Sequence, residues 1–254
     1  MHSKRHTPIA HLHNVRDLGG LPCRDMTVTA SRQFWRGDSP HHIDAAGIET
    51  FKHAVMTTII DLRQPDECAS HPNPLAATPG FTYHHLPLFM GNSLAQQPTT
   101  LASFYIHIIE HAKPAIASVM RVCAAAPSGV FFHCKLGKDR TGIISALLLS
   151  LAEVPDAAIL DDYVLTEERT ATLVSSLLLD PPAYLGAQIY TQLLATQRAN
   201  LQASLEHVRI NYGTAERYLG EAGLTTDELT AITRKLTMPI VNDDASVVRT
   251  STHT

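Results

Sequence analysis

The chain has 254 residues, 44% of them hydrophobic and 17% charged, with a formal net charge of -4. That is enough apolar material for one sizeable core, and the mild negative balance gives no general pull toward nucleic acid or an anionic membrane. Four cysteines, Cys23, Cys68, Cys123 and Cys134, lack any Cys-x-x-Cys spacing, which excludes a dense disulfide framework and makes reduced thiols the expectation.

No apolar run approaches the roughly 20 residues of a transmembrane helix, so no integral membrane segment is expected. The N-terminus has charge and histidine but no apolar stretch of the signal-peptide kind. A cytoplasmic location is therefore expected, with secretion by another route left open.

In chain order, residues 1–11 read as a polar lead-in. In residues 14–20 paired glycines mark a turn, and Arg16 and Asp17 could pair with each other or with the body of the domain. Phe34-Trp35-Arg36 reads as a short strand, and Ser39-Pro40 with Asp44 leads into a helix over 45–53. Residues 55–61 are a nearly continuous apolar, β-branched run, the pattern of a parallel strand covered on both faces. Ligands of open α/β sheets bind at the carboxyl ends of such strands. Arg63 could therefore face the same pocket as Cys134, or be held in an ion pair by Asp61 or Glu67. Residues 66–80 read as an exposed, proline-rich irregular loop, 81–88 as a third strand and 91–100 as a polar loop. One helix is expected over 101–124, broken by Pro127-Ser128-Gly129.

The stretch that follows carries the chemistry. Val130-Phe131-Phe132 is a short apolar strand, His133-Cys134-Lys135-Leu136-Gly137-Lys138-Asp139-Arg140-Thr141-Gly142 a charged, glycine-containing loop, and 143–150 an apolar helix. A loop opening a helix aims backbone N–H groups and the positive end of the helix dipole at one point, which suits a phosphate or a thiolate. Five residues separate Cys134 from Arg140, enough to wrap a tetrahedral dianion with sulfur below and a bidentate guanidinium at the rim. Neighbouring cations and a helix N-terminus favour the thiolate, so Cys134 is expected to be an activated nucleophile. The nucleotide-binding Gly-x-x-x-x-Gly-Lys-Ser/Thr spacing is absent, because Asp139 follows Lys138.

Beyond it, Val154-Pro155 starts another helix. Residues 166–200 hold two apolar stretches separated by Pro181-Pro182 and read either as two core helices or as a mobile cover over the pocket. Helix continues over 201–220, a turn and cap occupy 223–226, and a last helix over 227–236 closes the domain. The main body is thus expected over 12–237, with a polar, disordered tail over 238–254.

The loop His-Cys-x-x-Gly-Lys-Asp-Arg-Thr-Gly resembles the signature loop of the cysteine-dependent phosphatases, in the variant of the bacterial branch typified by mycobacterial tyrosine phosphatase B and its lipid-phosphatase relatives. Asn14-Val15-Arg16-Asp17-Leu18-Gly19-Gly20, Phe34-Trp35-Arg36-Gly37, Ile59-Ile60-Asp61-Leu62-Arg63, Asp162-Tyr163 and residues 212–219 follow that branch's pattern in order. The resemblance implies an α/β fold with a central, mostly parallel sheet flanked by helices and, by analogy with bacterial relatives, a helical lid. It implies a hydrolase needing neither metal nor cofactor, with Cys134 attacking phosphorus and Arg140 and the loop residues Lys135, Leu136, Gly137, Lys138, Thr141 and Gly142 holding the phosphate. Phosphatases of this broad class usually carry a general-acid aspartate between the third strand and the signature loop. Here no aspartate lies between Glu67 and Lys138, so Asp139 becomes the expected acid, with Asp17, Asp61 or Asp66 as the alternative sources.

The resemblance also brings Asp17 near the site as an auxiliary residue, beside Asp61 and Arg63. His133 is expected to fix the loop by hydrogen bonding, and Thr141 to assist the departing thiolate. The expected partner is a phosphorylated protein, phosphotyrosine first and phosphoserine or phosphothreonine next, or a phosphoinositide, since Lys135 and Lys138 could meet extra phosphates. The alternatives are a lipid-directed phosphatase and a phospho-ligand-binding relative with little turnover. Cys23 or Cys68 could shield Cys134 as a reversible disulfide. The histidine pairs His41-His42 and His84-His85 do not make bidentate metal sites, since adjacent strand residues face opposite ways. Oligomeric state is left open.

Overall fold

A computed structural model describes residues 5–24, 26–89, 100–181 and 186–239. Five short strands form the main sheet: β1 (Arg16–Asp17), β3 (Phe34–Gly37), β4 (Met56–Asp61), β5 (Thr82–His85) and β6 (Gly129–His133), in the order β1-β3-β6-β4-β5. β1 runs antiparallel to β3, and the other three pairings are parallel. β6 is central, and each of its residues is buried, as expected of a parallel strand covered on both faces. Period-two alternation sends its side chains to two cores. Val130 and Phe132 join the larger one, with Phe34, Ile60 and most of the helices, while Phe131 joins Trp35, Ile59 and Phe51 in the smaller.

Helix α1 (Ala45–His53) is capped by Asp44, whose carboxylate accepts from the Gly47 N–H, and buries Phe51. The segment 66–80 is more ordered than its prolines suggest. Pro65 opens helix α2 (Pro65–Ser70), closed by a reciprocal cap between Gln64 and Glu67, and Pro74 opens a single 3-10 turn that buries Leu75. The single helix expected over 101–124 is two, α3 (Leu101–His111) and α4 (Lys113–Ala125). Pro114 supplies no N–H to continue the ladder and is tolerated because it sits in the first turn of the second helix.

Helix α5 (Asp139–Leu151) follows β6 directly and is buried along almost its whole length. α6 (Asp156–Leu179) begins in the core, with Ile159, Leu160, Tyr163 and Thr166 buried, and ends with Leu178 and Leu179 exposed. α7 (Ala187–Leu194), α8 (Arg198–Tyr212), α9 (Ala215–Glu221) and α10 (Thr226–Leu236) complete the helices. The helix expected over 201–220 is interrupted where Gly213 takes φ 81° and Thr214 caps α9.

Both expected polar ends are partly structured. Ile9 is buried and Arg5 reaches the buried Asp162, so the expected lead-in is anchored at these two points, while Pro8, Ala10 and His11 are exposed. Residues 237–239 form β7 (Thr237–Pro239), antiparallel to β2 (Thr27–Thr29), so the body of the protein runs past 238. Residues 91–99 of the loop expected over 91–100, and residues 240–254 of the tail expected over 238–254, lie outside the described residues. Among the described residues no helix is long and apolar enough to cross a membrane.

Candidate active site

The parallel strands deliver their carboxyl ends to one edge of the sheet, and β6 hands over there to Cys134 and the loop 134–138. Lys138 stands at the N-cap of α5 without a side-chain cap, so the first-turn amides keep their donors for something else. A loop can point N–H groups inward only if its carbonyls are satisfied outward, and here each is. Lys135 O accepts from the Ser39 N–H at 3.1 Å. The Asn14 amide donates to Leu136 O at 2.9 Å and to Gly137 O at 3.1 Å, and Arg36 donates to Gly137 O at 2.7 Å. Gly137 has φ 68°, and a Cβ there would lie 2.3 Å from Gly37 O. Only glycine fits this close approach in the left-handed region.

Behind this clamp stands a buried charge cluster. Asp162 accepts from Arg16 Nε at 3.1 Å and from Arg36 at 2.9 Å, and pairs with Arg5. Burial alone would raise Asp162, but the three guanidinium groups hold it far below the usual carboxylate range. Burial and the Arg16 charge pull Arg36 down to about 10, against Asp162, so Arg36 stays a cation at neutral pH.

Cys134 is 1% exposed. His133 donates from Nδ1 to Cys134 O at 3.1 Å and accepts at Nε2 from the Asn73 amide at 2.9 Å, a neutral tautomer fixed by both neighbours. Burial pushes its pKa down to about 4. His133 thus bridges the first carbonyl of the loop and Asn73. Asp61 takes Arg63 in a fork at 2.6 and 2.9 Å and accepts from the Tyr83 hydroxyl at 2.9 Å. Burial would raise Asp61, yet His133 and the Arg63 fork carry it well below the ordinary range. Arg63 is held in an ion pair whose partner is Asp61, and it also lines the cavity that Lys135 and Leu136 border.

Glu67 instead pairs with Arg140, accepting from both terminal nitrogens, one at 2.9 Å. Asp139 accepts at Oδ1 from the Tyr105 hydroxyl at 2.5 Å, and that hydroxyl lies 2.8 Å from Tyr163 OH. Burial, then the Asp139 charge, drives Tyr105 well above its ordinary value, so it remains a neutral donor. The Thr141 hydroxyl is buried without a hydrogen-bond partner among the described residues. Lys135 lines an open cavity of about 690 Å³ beside the loop, roofed by Leu173, Ser176 and Leu177 of α6. The Lys138 ammonium donates to Leu193 O at 2.6 Å and Ala195 O at 3.2 Å, at the end of α7, and lies 3.5 Å from Asp139 Oδ1. The extra-cation role expected of both lysines is geometrically open to Lys135 alone in this conformation.

Asp17 is a turn clamp, accepting from the Gly19 and Arg32 N–H groups at 2.8 and 2.7 Å. Gly142 packs under Tyr163 and Arg36. Asn14, Arg36 and Asp162 sit in motifs visible in the sequence, but that Asn14 and Arg36 hold loop carbonyls from behind, and that Asp162 holds Arg36, was not legible there. Tyr105 had no sequence signal beyond its place on a helix. Among the described residues no group of three or more His, Cys, Asp or Glu is arranged to hold a metal.

The fold is a mixed α/β one, a central and mostly parallel sheet flanked by helices, with the loop 134–138 at the carboxyl end of its central strand. Residues 7–238 match the Tyrosine phosphatase family, and the chain belongs to that family, which places it among the protein-tyrosine-phosphatase-type hydrolases. It is similar to a tyrosine-protein phosphatase of Nostoc commune, 40% identical over 114 residues, a stretch that covers 42% of this chain and 39% of that protein. It is also similar to a putative tyrosine-protein phosphatase of Cupriavidus necator, 27% identical over 224 residues covering 82% and 81% of the two chains. Among solved structures it resembles P. aeruginosa TpbA in complex with pTyr, at 14% identity and a TM-score of 0.38 over 70% of this chain and 96% of that one.

Proposed function

We propose that the protein is a cysteine-dependent phosphatase that hydrolyses phosphotyrosine through a cysteinyl-phosphate. The observation that carries this reading is the clamped loop: the carbonyls of Lys135, Leu136 and Gly137 are all bound from outside, which supports reading the amides as donors to an anion above Cys134.

The Cys134 thiolate attacks phosphorus in line, a sulfur–phosphorus bond forms, and the bond to the leaving oxygen breaks. Arg140 and the loop amides take the equatorial oxygens, where charge must be held in the transition state. Asp139 gives its proton to the departing phenoxide and then, as the carboxylate, takes one from the water that cleaves the sulfur–phosphorus bond. Thr141 is the donor available to the sulfur as it leaves. A nucleophile this buried is reached more readily by the long phosphotyrosyl side chain than by phosphoserine, which favours the aryl ester. The signature residues favour the bacterial dual-specificity and lipid-phosphatase branch, and phosphoinositides are the second substrate class.

The test is inorganic phosphate release, with chelator present, from phosphotyrosine peptide, phosphothreonine peptide and phosphoinositides. Release that disappears in Cys134→Ser supports the reading. Release that survives the substitution, or silence across the panel while phosphate analogues still bind, overturns it, the latter in favour of a binding module.

A further inference from the structure

The cavity beside the loop has a chemistry the hydrolytic step does not use. Its mouth gathers imidazoles from three separate segments: His11 and His13 ahead of β1, His41 and His42 after β3, and His71 at the end of α2. The ring of His41 lies 4.1 Å from that of His42 and 4.8 Å from that of His71, centroid to centroid. His41 Nδ1 faces Ser39 O at 3.2 Å. Ser39 Oγ lies 3.1 Å from the same nitrogen, so Ser39 holds the ring through Nδ1 and leaves Nε2 without a partner among the hydrogen bonds of the described residues.

The charges around this rim are unevenly committed. Among the carboxylates on the same cavity, Asp38 is held by the N–H groups of His13 and Asn14, and Glu67 by Arg140. Asp66 and Asp180 also reach the cavity wall. Of the cations, Arg63 is spent on Asp61, whereas Lys135 makes no ion pair within 4 Å among the described residues, nor does any rim imidazole. His41 stands between the other two rings, touching each, and Lys135 lines the same cavity. Burial, then the charges of His42, His71 and Arg63, hold His41 below its ordinary value. A dianion placed among them offsets those charges and draws protons in.

We propose that His41, His42 and His71 with Lys135 form a second anion subsite, which takes an additional phosphomonoester carried by the substrate alongside the one being hydrolysed. The inference rests on the phosphatase reading and names a preference within it: multiply phosphorylated substrates over singly phosphorylated ones, more strongly as the pH falls. Neighbouring phosphotyrosines in one peptide and a second phosphate on an inositol ring present the same chemistry, and matched substrates separate the two sources.

The experiment compares kcat/KM for doubly and singly phosphorylated partners, a peptide pair and an inositol phosphate pair, at pH 6 and pH 8 with chelator. The wild-type protein is run against a variant combining His41→Gln, His42→Gln and His71→Gln. Comparing the two proteins at one pH removes the titration of the substrate's own phosphate. The double-to-single ratio at pH 6 should exceed that of the variant by about tenfold for at least one pair, the usual scale for charge-assisted bonds to an added phosphate, while the singly phosphorylated rate stays unchanged. Which pair responds identifies the source.

A ratio equal in wild type and variant, or one that depends on added divalent metal, overturns the subsite. A binding arm keeps this separate from failure of the phosphatase reading. In Cys134→Ser, calorimetry of the same ligands near pH 7 in two buffers of different ionisation enthalpy should show proton uptake for the doubly phosphorylated ligand only, lost when the three glutamines are added. Equal proton uptake for both ligands would overturn the subsite whether or not turnover is seen.

Discussion

Glu67 meets Arg140 end-on, through the two terminal nitrogens of the guanidinium, and no hydrogen bond engages Arg140 Nε among the described residues. The terminal nitrogens are thus fixed by α2, one of them also donating to Leu62 O at 3.4 Å. Burial favours the neutral form of Glu67, but Arg140 and the Gln64 N–H hold its pKa below the usual value, so the pair stays ionised near neutrality. If Glu67 orients the arginine, Glu67→Gln should weaken vanadate binding and lower kcat/KM for an aryl phosphate by roughly ten- to a hundredfold, the range for a lost charge-assisted bond. Tighter vanadate binding in the variant would mean that Glu67 competes with the substrate instead.

The clamp on Gly137 O links catalysis to a cluster that never touches substrate. Arg36 has one nitrogen on that carbonyl and another on Asp162, a span that lysine cannot copy with its single ammonium. Arg36→Lys should fold yet lose about a hundredfold in kcat/KM, through a loop carbonyl free to turn inward. Asp162→Asn removes the charge shared by Arg5, Arg16 and Arg36 and should cost about 3–5 kcal/mol of stability, the scale for a buried charge stripped of its partner. Urea unfolding alongside steady-state kinetics separates the two: a variant Arg36→Lys as active as wild type would remove the clamp from the mechanism.

His133 sets a pH dependence of its own. Burial lowers it from 6.5 to about 4 in the folded protein, so the unfolded chain takes up this proton first. Stability therefore falls as pH drops from about 6.5 to about 4, and His133 adds nothing more to the loss below that, for a total of about 3 kcal/mol. Asp61 and Asp162 act in a lower window. Both are held below the ordinary carboxylate range, so their contribution is complete above that range and is lost as pH falls beneath it. In His133→Gln the urea midpoint should vary less between pH 6.5 and 4 than in wild type, while the steeper loss in stronger acid persists; an unchanged slope would show that another group titrates there.

Much of this was legible in the chain because local signals agreed with the fold. The run before Asp61 and the Val-Phe-Phe strand before Cys134 are apolar on both faces because helices cover both, and Asp44 announces α1 by capping it. What escaped notice depends on contacts distant in sequence. Glu67 lies 73 residues from Arg140 and Arg36 lies 101 from Gly137, and no periodicity encodes such a pairing. Prolines misled in both directions: Pro65 and Pro74 begin helical turns in a stretch read as loop, and Pro114 marks the start of a second helix where one was expected. Proline at a first turn and proline as a breaker look alike until the neighbouring carbonyls are placed.

The acid is the step most open to a decisive test. Asp139 stands in the first turn of α5, with Oδ1 taken by Tyr105 at 2.5 Å and by the Lys138 ammonium at 3.5 Å, which leaves Oδ2 as the oxygen able to carry a proton to the leaving group. Tyr105 has one proton to give, so when it donates to Asp139 the Tyr163 hydroxyl must donate to Tyr105 in turn. This chain of hydroxyls holds the carboxyl plane from inside the core. A general acid matters in proportion to the basicity of the oxygen it protonates. Asp139→Asn should therefore slow phosphotyrosine peptide by about 10²–10⁴, while p-nitrophenyl phosphate, whose phenoxide departs unaided, loses far less. Tyr105→Phe keeps the carboxyl but frees its orientation, and should show the same leaving-group trend with a loss of roughly tenfold. Equal losses on both substrates in Asp139→Asn would make the residue a support for Arg140 and return the search for the acid to Asp66, which lines the neighbouring cavity wall.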